Sequence, residues 1–372
     1  MTGRPARQDG ERSQPLLTSY AALICDLDGV VHRGATAIEG APEALAEAAS
    51  SGVRVLFVTN NAARTPADVA AHLSRLGVNV DAADVVTSAQ AGAARVREMV
   101  GEGERVLALG GPGVAAALSE HGLTPVEPGA GPVRAVLQGY GPELTVADFT
   151  EAARQLSGGV VWVATNIDLT IPFEWGPGPG NGSYVNLLAE VAGRRPDAAV
   201  GKPARPLYDQ AVESLAVDRG RVLAAGDRLD TDIDGAAAAG IDSAWVLTGV
   251  HRPSDLLASP DRTVPTYVIA SLHELHEPYA APHRSGDGWL CGSHRCALEV
   301  QPAGEARLTA STVRANGDEV EVPLDGPVPI EVVRAGLAAL LEARAAGATP
   351  PAALVSAARA LDARVEGRRP VA

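Results

Sequence analysis

The chain has 372 residues, of which 46% are apolar, and this length predicts two or three domains with sizeable cores. Its formal net charge of −14 leaves no broad basic face, which argues against nucleic acid or an anionic membrane as the main partner. Three cysteines are too few for a disulfide framework. The first nineteen residues are polar and have no apolar region of the signal-peptide type, and no later apolar run is long enough for a membrane span, so we expect a cytoplasmic protein.

From about residue 20 to 275 the chain alternates short apolar runs with helical patterns, which is typical of an α/β fold with a mostly parallel sheet. The first strand is predicted in AALICDLDGVV and the second in VRVLFV at 53–58. A helix between them begins at Pro42 and ends before Gly52, and the next helix begins at Thr65 with a pattern that resembles a capping box. Because such sheets bind ligands at the carboxyl ends of their strands, the polar groups found there are the candidates for a site.

The middle of the chain carries a second set of elements, which we interpret as an inserted domain. Its strands are predicted in RVLALGG, PVRAVLQGY and VVWVATN, followed by the Gly/Pro-rich loop IPFEWGPGPGNG. The strands RVLAAGD (221–227) and SAWVLTG (243–249) then return to the first pattern. The last part changes again, because WLCGSHRCALEV, EARLTASTV and DEVEVPL indicate antiparallel strands, and two Ala-rich helices follow around 330–345 and 351–366.

The predicted domain organisation therefore has four parts, of which the last is joined to the rest by the Pro/His-rich stretch HEPYAAPHR. They are a polar N-terminal segment at 1–19, an α/β core at 20–85 and 197–278, an inserted domain at 86–196, and a small C-terminal α+β domain at 285–372.

Two carboxylates stand two residues apart at the end of the first strand, in Asp26-Leu27-Asp28-Gly29. One carboxylate can act as a nucleophile while the other donates and accepts protons, and Gly29 allows a sharp turn. A hard divalent cation such as Mg²⁺ would keep the pair from repelling, since it binds carboxylates, waters and a substrate phosphate. A strand that ends in a turn or a helix cap explains the same residues without any chemistry, so this motif alone leaves both interpretations open.

Three further stretches favour the chemical interpretation. Thr59 and Asn60 offer a hydroxyl, an amide and backbone N–H groups at the next strand end, which suit phosphate oxygens. Asp227 follows another apolar strand, where it can complete an oxygen-ligand site for Mg²⁺, and Asp232 lies in the same segment. Lys202 is the only lysine among 31 basic residues. Its compact ammonium suits a transferring phosphoryl group better than the planar fork of arginine does.

Taken in their order along the chain, DLDGV, VTNN, GKP and GDRLDTDI resemble the motifs of the haloacid dehalogenase superfamily, in particular its subclass IIA phosphatases. The resemblance covers about residues 20–275. It implies a Rossmann-like parallel-sheet core with a large α/β cap domain inserted between the second and third motifs.

The resemblance also implies a role for each site residue. Asp26 would be the nucleophile that forms an aspartyl-phosphate, and Asp28 the general acid and base. The residues that bind phosphate would be Thr59, Asn60 and Lys202. The ligands of Mg²⁺ would be Asp26, the backbone carbonyl of Asp28 and Asp227, with Asp232 supporting the waters of the metal.

The substrate follows less directly from the sequence. Subclass IIA enzymes hydrolyse small phosphomonoesters, so the resemblance implies a phosphatase for a small phosphorylated metabolite. The C-terminal domain is similar in its position to the acetyltransferase-like domain of some glycerol 3-phosphate phosphatases, which favours glycerol 3-phosphate. Phosphoglycolate, nucleotides and pyridoxal phosphate stay as alternatives, as does a non-enzymatic phosphate-ligand sensor. A homodimer, which resembling proteins often form through the cap, is left open.

Two other motifs each allow two interpretations. Cys291, His294 and Cys296 offer zinc ligands, but their spacing fits no standard pattern, so a strand and turn is the favoured interpretation. His32 and Arg33, which follow the first motif, either line the cleft or form a surface turn.

Overall fold

The computed structural model of the protein describes residues 14–173, 175–301 and 304–362. Of the predicted polar N-terminal segment, residues 1–13 lie outside this description, as do the last four residues of the helix predicted at 351–366.

The strands, numbered along the chain, are β1 (Ala22–Asp26), β2 (His32–Arg33), β3 (Thr36–Ala37), β4 (Arg54–Thr59), β5 (Val85–Thr87), β6 (Arg105–Leu109), β7 (Thr124–Val126), β8 (Ala135–Gln138), β9 (Val161–Ala164), β10 (Thr170–Phe173), β11 (Gly176–Pro179), β12 (Ala198–Ala199), β13 (Val222–Gly226), β14 (Asp242–Val246), β15 (Tyr267–Ile269), β16 (His283–Ser285), β17 (Gly288–Cys291), β18 (His294–Val300), β19 (Ala306–Val313) and β20 (Glu319–Glu321). The α-helices are α1 (Ala41–Ser50), α2 (Pro66–Arg75), α3 (Ser88–Val100), α4 (Pro112–Glu120), α5 (Val146–Ser157), α6 (Asn181–Ala192), α7 (Arg205–Leu215), α8 (Asp234–Ala239), α9 (Pro253–Ala258), α10 (Ile330–Ala346) and α11 (Pro351–Asp362). Short 3₁₀ turns lie at Leu16–Ser19, Ala82–Asp84, Arg219–Arg221 and Leu272–His276, and a π-helical turn spans Leu229–Ile233.

Six parallel strands form the first sheet, in the order β15-β14-β13-β1-β4-β5. Every residue of β1 and β13 is buried, because helices cover both faces and the strands are therefore continuous apolar runs. Alternate residues of β1 face opposite layers. Ala22 and Ile24 pack with apolar residues of α7 and α8, whereas Leu23 and Cys25 pack with those of α1 and α2. The predicted α/β class with a parallel Rossmann-like core is confirmed.

Local sequence explains where the helices begin. The Thr65 side chain accepts a hydrogen bond from the Asp68 N–H at 3.1 Å, and the Asp68 carboxylate accepts one from the Thr65 N–H at 3.2 Å. The predicted capping box is therefore confirmed. Thr145 and Asp148 cap α5 in the same way. The cap at Thr65 ends the loop of residues 60–64, so it fixes this loop at the carboxyl end of β4.

The second sheet is also parallel, in the order β12-β9-β8-β6-β7, and the hairpin of β10 and β11 stands beside it. The predicted boundaries of the inserted domain, 86 and 196, lie within a few residues of the points at which the chain passes from one sheet to the other. β5, at Val85–Thr87, pairs in the first sheet, and β12, at Ala198–Ala199, pairs in the second. The division into domains itself stays a prediction.

The C-terminal part contains an antiparallel sheet in the order β16-β17-β18-β19-β20, with α10 and α11 packed against it. Cys291 and Cys296 lie in β17 and β18 with buried side chains, so the strand interpretation of this motif is confirmed. Among the residues that the structure describes, no helix is long and apolar enough to cross a membrane.

One strand is shorter than the sequence predicts. The apolar run SAWVLTG predicts an extended chain to residue 249, but β14 stops at Val246. Residues 247–249 turn instead toward the edge of the sheet, because Gly249 packs directly against Asp227.

Candidate active site

The predicted site residues meet at one edge of the first sheet. Asp26 is the last residue of β1, Thr59 is the last residue of β4, and Asp227 directly follows β13. The three strands are parallel neighbours in the order β13-β1-β4, so their carboxyl ends lie side by side. Residues more than 100 positions apart in sequence are thereby brought into one cluster.

Lys202 lies between two of the carboxylates. Its Nζ is 2.5 Å from Oδ1 of Asp26 and 2.7 Å from Oδ1 of Asp232, and only 3% of its side chain is exposed. Burial alone would lower the pKa of this amine, but the charges of Asp232 and Asp26 outweigh it and hold the pKa of Lys202 well above its ordinary value. The site thus contains a permanent ammonium in contact with the predicted nucleophile.

Three carboxylates form a compact oxygen cluster. One carboxylate oxygen from each of Asp26, Asp227 and Asp232 lies within 4.8 Å of the others. The Asp227 side chain accepts a hydrogen bond through Oδ2 from the Val250 N–H at 2.5 Å, while its buried Oδ1 has no hydrogen-bond partner among the described residues. An oxygen that is buried and unpartnered in this way fits a bound cation.

Charge balance leads to the same conclusion. Burial raises the pKa of Asp26 despite the nearby Lys202, and burial together with Asp232 and Asp26 raises the pKa of Asp227 well above its ordinary value. Burial also raises the pKa of Asp232, against the effect of Lys202. Three ionised carboxylates and one ammonium leave two negative charges uncompensated, which a divalent cation balances. The donor set is entirely oxygen, as Mg²⁺ prefers.

Asp28 lies at the open side of the cluster. Its side chain is 58% exposed, unlike that of Asp26, and the protein around it still raises the pKa of its carboxyl group through desolvation. Gly29 makes the turn between the two groups with a positive φ of 84°, and a Cβ on it would lie 2.6 Å from Oδ2 of Asp227. The predicted sharp turn is therefore present, and only glycine fits it.

Asn60 does more than the sequence indicated. Its Oδ1 accepts a hydrogen bond from the Lys202 N–H at 2.8 Å, and its Nδ2 donates to the Lys202 carbonyl at 3.0 Å. The same Nδ2 also lies 3.0 Å from Oδ2 of Asp168, which belongs to the segment after β9. Asn60 thereby fixes the backbone of Lys202, and its role in phosphate binding stays a prediction.

The hydroxyl of Thr59 lies at the end of β4, and its role in phosphate binding stays a prediction. Its Oγ1 accepts a hydrogen bond from the Asn61 N–H at 3.1 Å, and the residue is only 5% exposed. The hydroxyl hydrogen is still available as a donor at the edge of the sheet.

The sequence did not point to a loop that surrounds Asp227. The backbone of Val250 donates to that carboxylate, and a Cβ on Gly249 would lie 1.7 Å from Oδ2 of Asp227. Thr248 donates through its hydroxyl to the Gly29 carbonyl at 2.6 Å, and its own carbonyl accepts from the Arg33 guanidinium. Arg33 is exposed and contacts this loop through the Thr248 carbonyl. The only available signal was the glycine that ends an apolar run.

Comparison with known proteins shows which family the chain matches. Residues 23–124 match haloacid dehalogenase-like hydrolase, and residues 199–275 match HAD-hydrolase-like. The chain is 40% identical over 331 residues to the D-glycerol 3-phosphate phosphatase of Mycobacterium tuberculosis, covering 88% of this chain and 87% of that one. It is 34% identical over 301 residues to the glycerol-3-phosphate phosphatase of Gallus gallus, covering 73% of this chain and 96% of that one.

A solved structure agrees over nearly the whole chain. The glycerol phosphate phosphatase of Mycobacterium tuberculosis, in complex with magnesium, superposes with a TM-score of 0.74 at 35% sequence identity. The match covers 91% of this chain and 94% of that one.

Proposed function

Because the chain belongs to the haloacid dehalogenase-like hydrolases, we propose that it hydrolyses glycerol 3-phosphate through an aspartyl-phosphate on Asp26. It is a phosphatase that acts on phosphoric monoesters and uses Mg²⁺. The observation that carries the proposal is the position of the Lys202 ammonium, in contact with both Asp26 and Asp232 beside the cluster of three carboxylates.

Asp26 is the nucleophile of the first step. One of its carboxylate oxygens forms a bond to phosphorus while the bond from phosphorus to the ester oxygen breaks. Asp28 gives its proton to the departing alcohol oxygen, and its raised pKa supports this role because the group must arrive protonated. Lys202 and the hydroxyl of Thr59 hold the phosphate oxygens in line with Asp26.

The second step releases phosphate. Asp28, now ionised, takes a proton from a water molecule, and the oxygen of that water bonds to phosphorus as the bond to Asp26 breaks. The products are inorganic phosphate and the restored Asp26 carboxylate. Because the Asp28 carboxylate activates water beside the intermediate, the phosphoryl group passes to water, and the reaction is a hydrolysis and not a transfer to another acceptor.

Asp26, Asp227 and the backbone carbonyl of Asp28 would hold Mg²⁺, with Asp232 supporting its waters. When bound, Mg²⁺ neutralises the phosphate and the carboxylates, so that one anion can approach another.

Glycerol 3-phosphate is the preferred substrate in this proposal. Both relatives named above are glycerol 3-phosphate phosphatases, and the match to the relative from Mycobacterium tuberculosis covers 88% of this chain. The second sheet and its hairpin form the cap that excludes water from the reacting groups. The partner of the chain is thus a small phosphorylated metabolite. The cytoplasm as its location and a homodimer through the cap stay predictions.

Phosphate release from a panel of esters tests the proposal. The panel contains glycerol 3-phosphate, phosphoglycolate, pyridoxal phosphate and nucleoside monophosphates, each with Mg²⁺ or with EDTA, and Asp26→Asn serves as the blank. We expect Mg²⁺-dependent release with the highest kcat/KM for glycerol 3-phosphate. A higher kcat/KM for another ester would contradict glycerol 3-phosphate as the preferred substrate but would leave the proposed mechanism unchanged. If the protein bound esters but released phosphate from none of them, the result would favour a non-enzymatic phosphate-ligand sensor.

A further inference from the structure

We propose that Asp362, at the end of α11, is a positioning residue for the Mg²⁺ site and acts on Asp227 through α9. The inference rests on the proposed function only for the identity of the metal. It assigns a task to the C-terminal part of the chain, which contains α10 and α11.

The first link is the loop of residues 248–252, named here the ligand loop. It orients Asp227 through the Val250 N–H, which donates to Oδ2, and leaves Oδ1 free for a cation. It is anchored on both sides of the site. Thr248 donates to the Gly29 carbonyl at 2.6 Å, and Nδ1 of His251 accepts from the Leu229 N–H at 2.8 Å. A displacement of this loop therefore rotates the Asp227 carboxylate away from its place.

The second link is α9, which follows the ligand loop without a break. It has six residues, and a helix of this length is unstable on its own in water. Its position must therefore come from its contacts. Leu256 and Leu257 are buried in one apolar cluster with Leu340 and Leu361 of the C-terminal helices.

The third link is the polar capping of α9 by the C-terminal helices. Asp362 accepts two hydrogen bonds at the start of α9, from the Ser254 N–H at 2.8 Å and from the Ser254 hydroxyl at 2.7 Å. Arg344 donates at its other end, to the Leu256 carbonyl at 2.9 Å and the Ser259 carbonyl at 3.2 Å. A carboxylate at the start of a helix and a guanidinium at its end both favour the helix dipole. Both ends of α9 are thus held from outside the first sheet.

The same apolar cluster reaches the other acidic segment of the site. Leu229 and Ile233 of the π-helical turn are fully buried in it, as is Trp245, whose ring N–H donates to the Asp227 carbonyl at 3.0 Å. The C-terminal helices consequently support Asp227 from two directions, and the Asp362 contact can be removed by a single substitution.

Calorimetric titration of the full chain with Mg²⁺, in the absence of any ester, tests this proposal. Loss of a helix cap shifts the equilibrium between the capped and the displaced helix by about fivefold. Asp362→Ala should therefore raise the Mg²⁺ dissociation constant by about that factor. Asp362→Asn retains one acceptor oxygen and should fall between Asp362→Ala and the wild type. Ser254→Ala, which loses only the hydroxyl contact, should change the constant by about twofold.

Asp148→Ala is the matched control. Asp148 caps α5 through the N–H and the hydroxyl of Thr145, at 2.7 Å and 2.9 Å, so its removal breaks the same two kinds of hydrogen bond away from the ligand loop. Its Mg²⁺ dissociation constant should equal that of the wild type. Unchanged constants in Asp362→Ala and Ser254→Ala would overturn the inference, as would an equal change in Asp148→Ala. If the wild type released phosphate from no ester, the proposed function would fail while the Mg²⁺ titration still decided this inference.

Discussion

The Lys202 ammonium and the Asp26 carboxylate form a direct ion pair, 2.5 Å apart and separated by 176 residues in sequence. Both side chains are nearly enclosed, and Asp232 closes the opposite side of the ammonium at 2.7 Å. A buried pair of this kind depends on fit, because each charge relies on the other for the solvation it has lost. This explains why the one lysine of the chain is found here.

Replacing Lys202 by arginine should therefore remove most of the activity although the charge is kept. The planar guanidinium is larger than the ammonium and cannot enter the space between Asp26 and Asp232 without moving one of them. We expect Lys202→Arg to lower kcat by about 100-fold, the effect of losing one preorganised donor. Phosphate release at saturating Mg²⁺ measures this. Arg205→Lys, at a side chain that is 59% exposed, is the control and should keep normal kinetics.

The acid and base role of Asp28 predicts a change in kinetic pattern. In Asp28→Asn the first step should survive for 4-nitrophenyl phosphate, whose leaving group needs no proton, while the activation of water is lost. The aspartyl-phosphate should then accumulate. Rapid mixing should show a burst of 4-nitrophenol equal to the enzyme concentration, followed by slow turnover. A linear trace at the rate of the wild type would contradict the assignment.

The sequence predicted the parts of this site that local patterns encode. The apolar strands that end at Asp26 and before Asp227 could be predicted because a buried parallel strand is a continuous apolar run. The edge at which they meet follows from the topology of parallel sheets. These two rules brought together residues that are far apart in the chain.

What the sequence could not provide were contacts that exist only after folding. The end of β14 was misplaced because an apolar run does not reveal that Gly249 must approach Asp227. The double hydrogen bond from Asn60 to the backbone of Lys202 has no local signature either. Both depend on distances between separate segments, which neither periodicity nor capping residues encode.

Gly249 offers a test of that close approach. An added Cβ would lie 1.7 Å from Oδ2 of Asp227, so Gly249→Ala must displace either the ligand loop or the carboxylate. We expect a loss of stability of about 1–3 kcal/mol, as for other overpacked sites, and a loss of Mg²⁺ binding that excess metal only partly restores. Gly326→Ala is the control, since a Cβ there meets nothing within 4 Å. Normal Mg²⁺ affinity in Gly249→Ala would show that Asp227 does not need this contact.

His32 should make the fold sensitive to mild acid. Its side chain is only 9% exposed and packs edge-on against His72, with ring centroids 5.0 Å apart. Burial, with smaller effects of His72 and Arg64, lowers the pKa of His32 from 6.5 to about 4. As the pH falls below about 6.5, the unfolded chain takes up a proton that the folded chain does not, so stability decreases until the pH reaches the folded pKa. Between pH 7 and pH 5 the loss should be about 2 kcal/mol.

Urea unfolding at several pH values in this range, with EDTA present, measures that loss. His32→Asn should show a flatter dependence of unfolding free energy on pH than the wild type, because asparagine does not titrate. His273→Asn removes a histidine whose side chain is 66% exposed, and it should retain the slope of the wild type. Equal slopes in all three proteins would mean that His32 takes up its proton as readily in the folded chain as in the unfolded one, and its burial would then have no effect on acid stability.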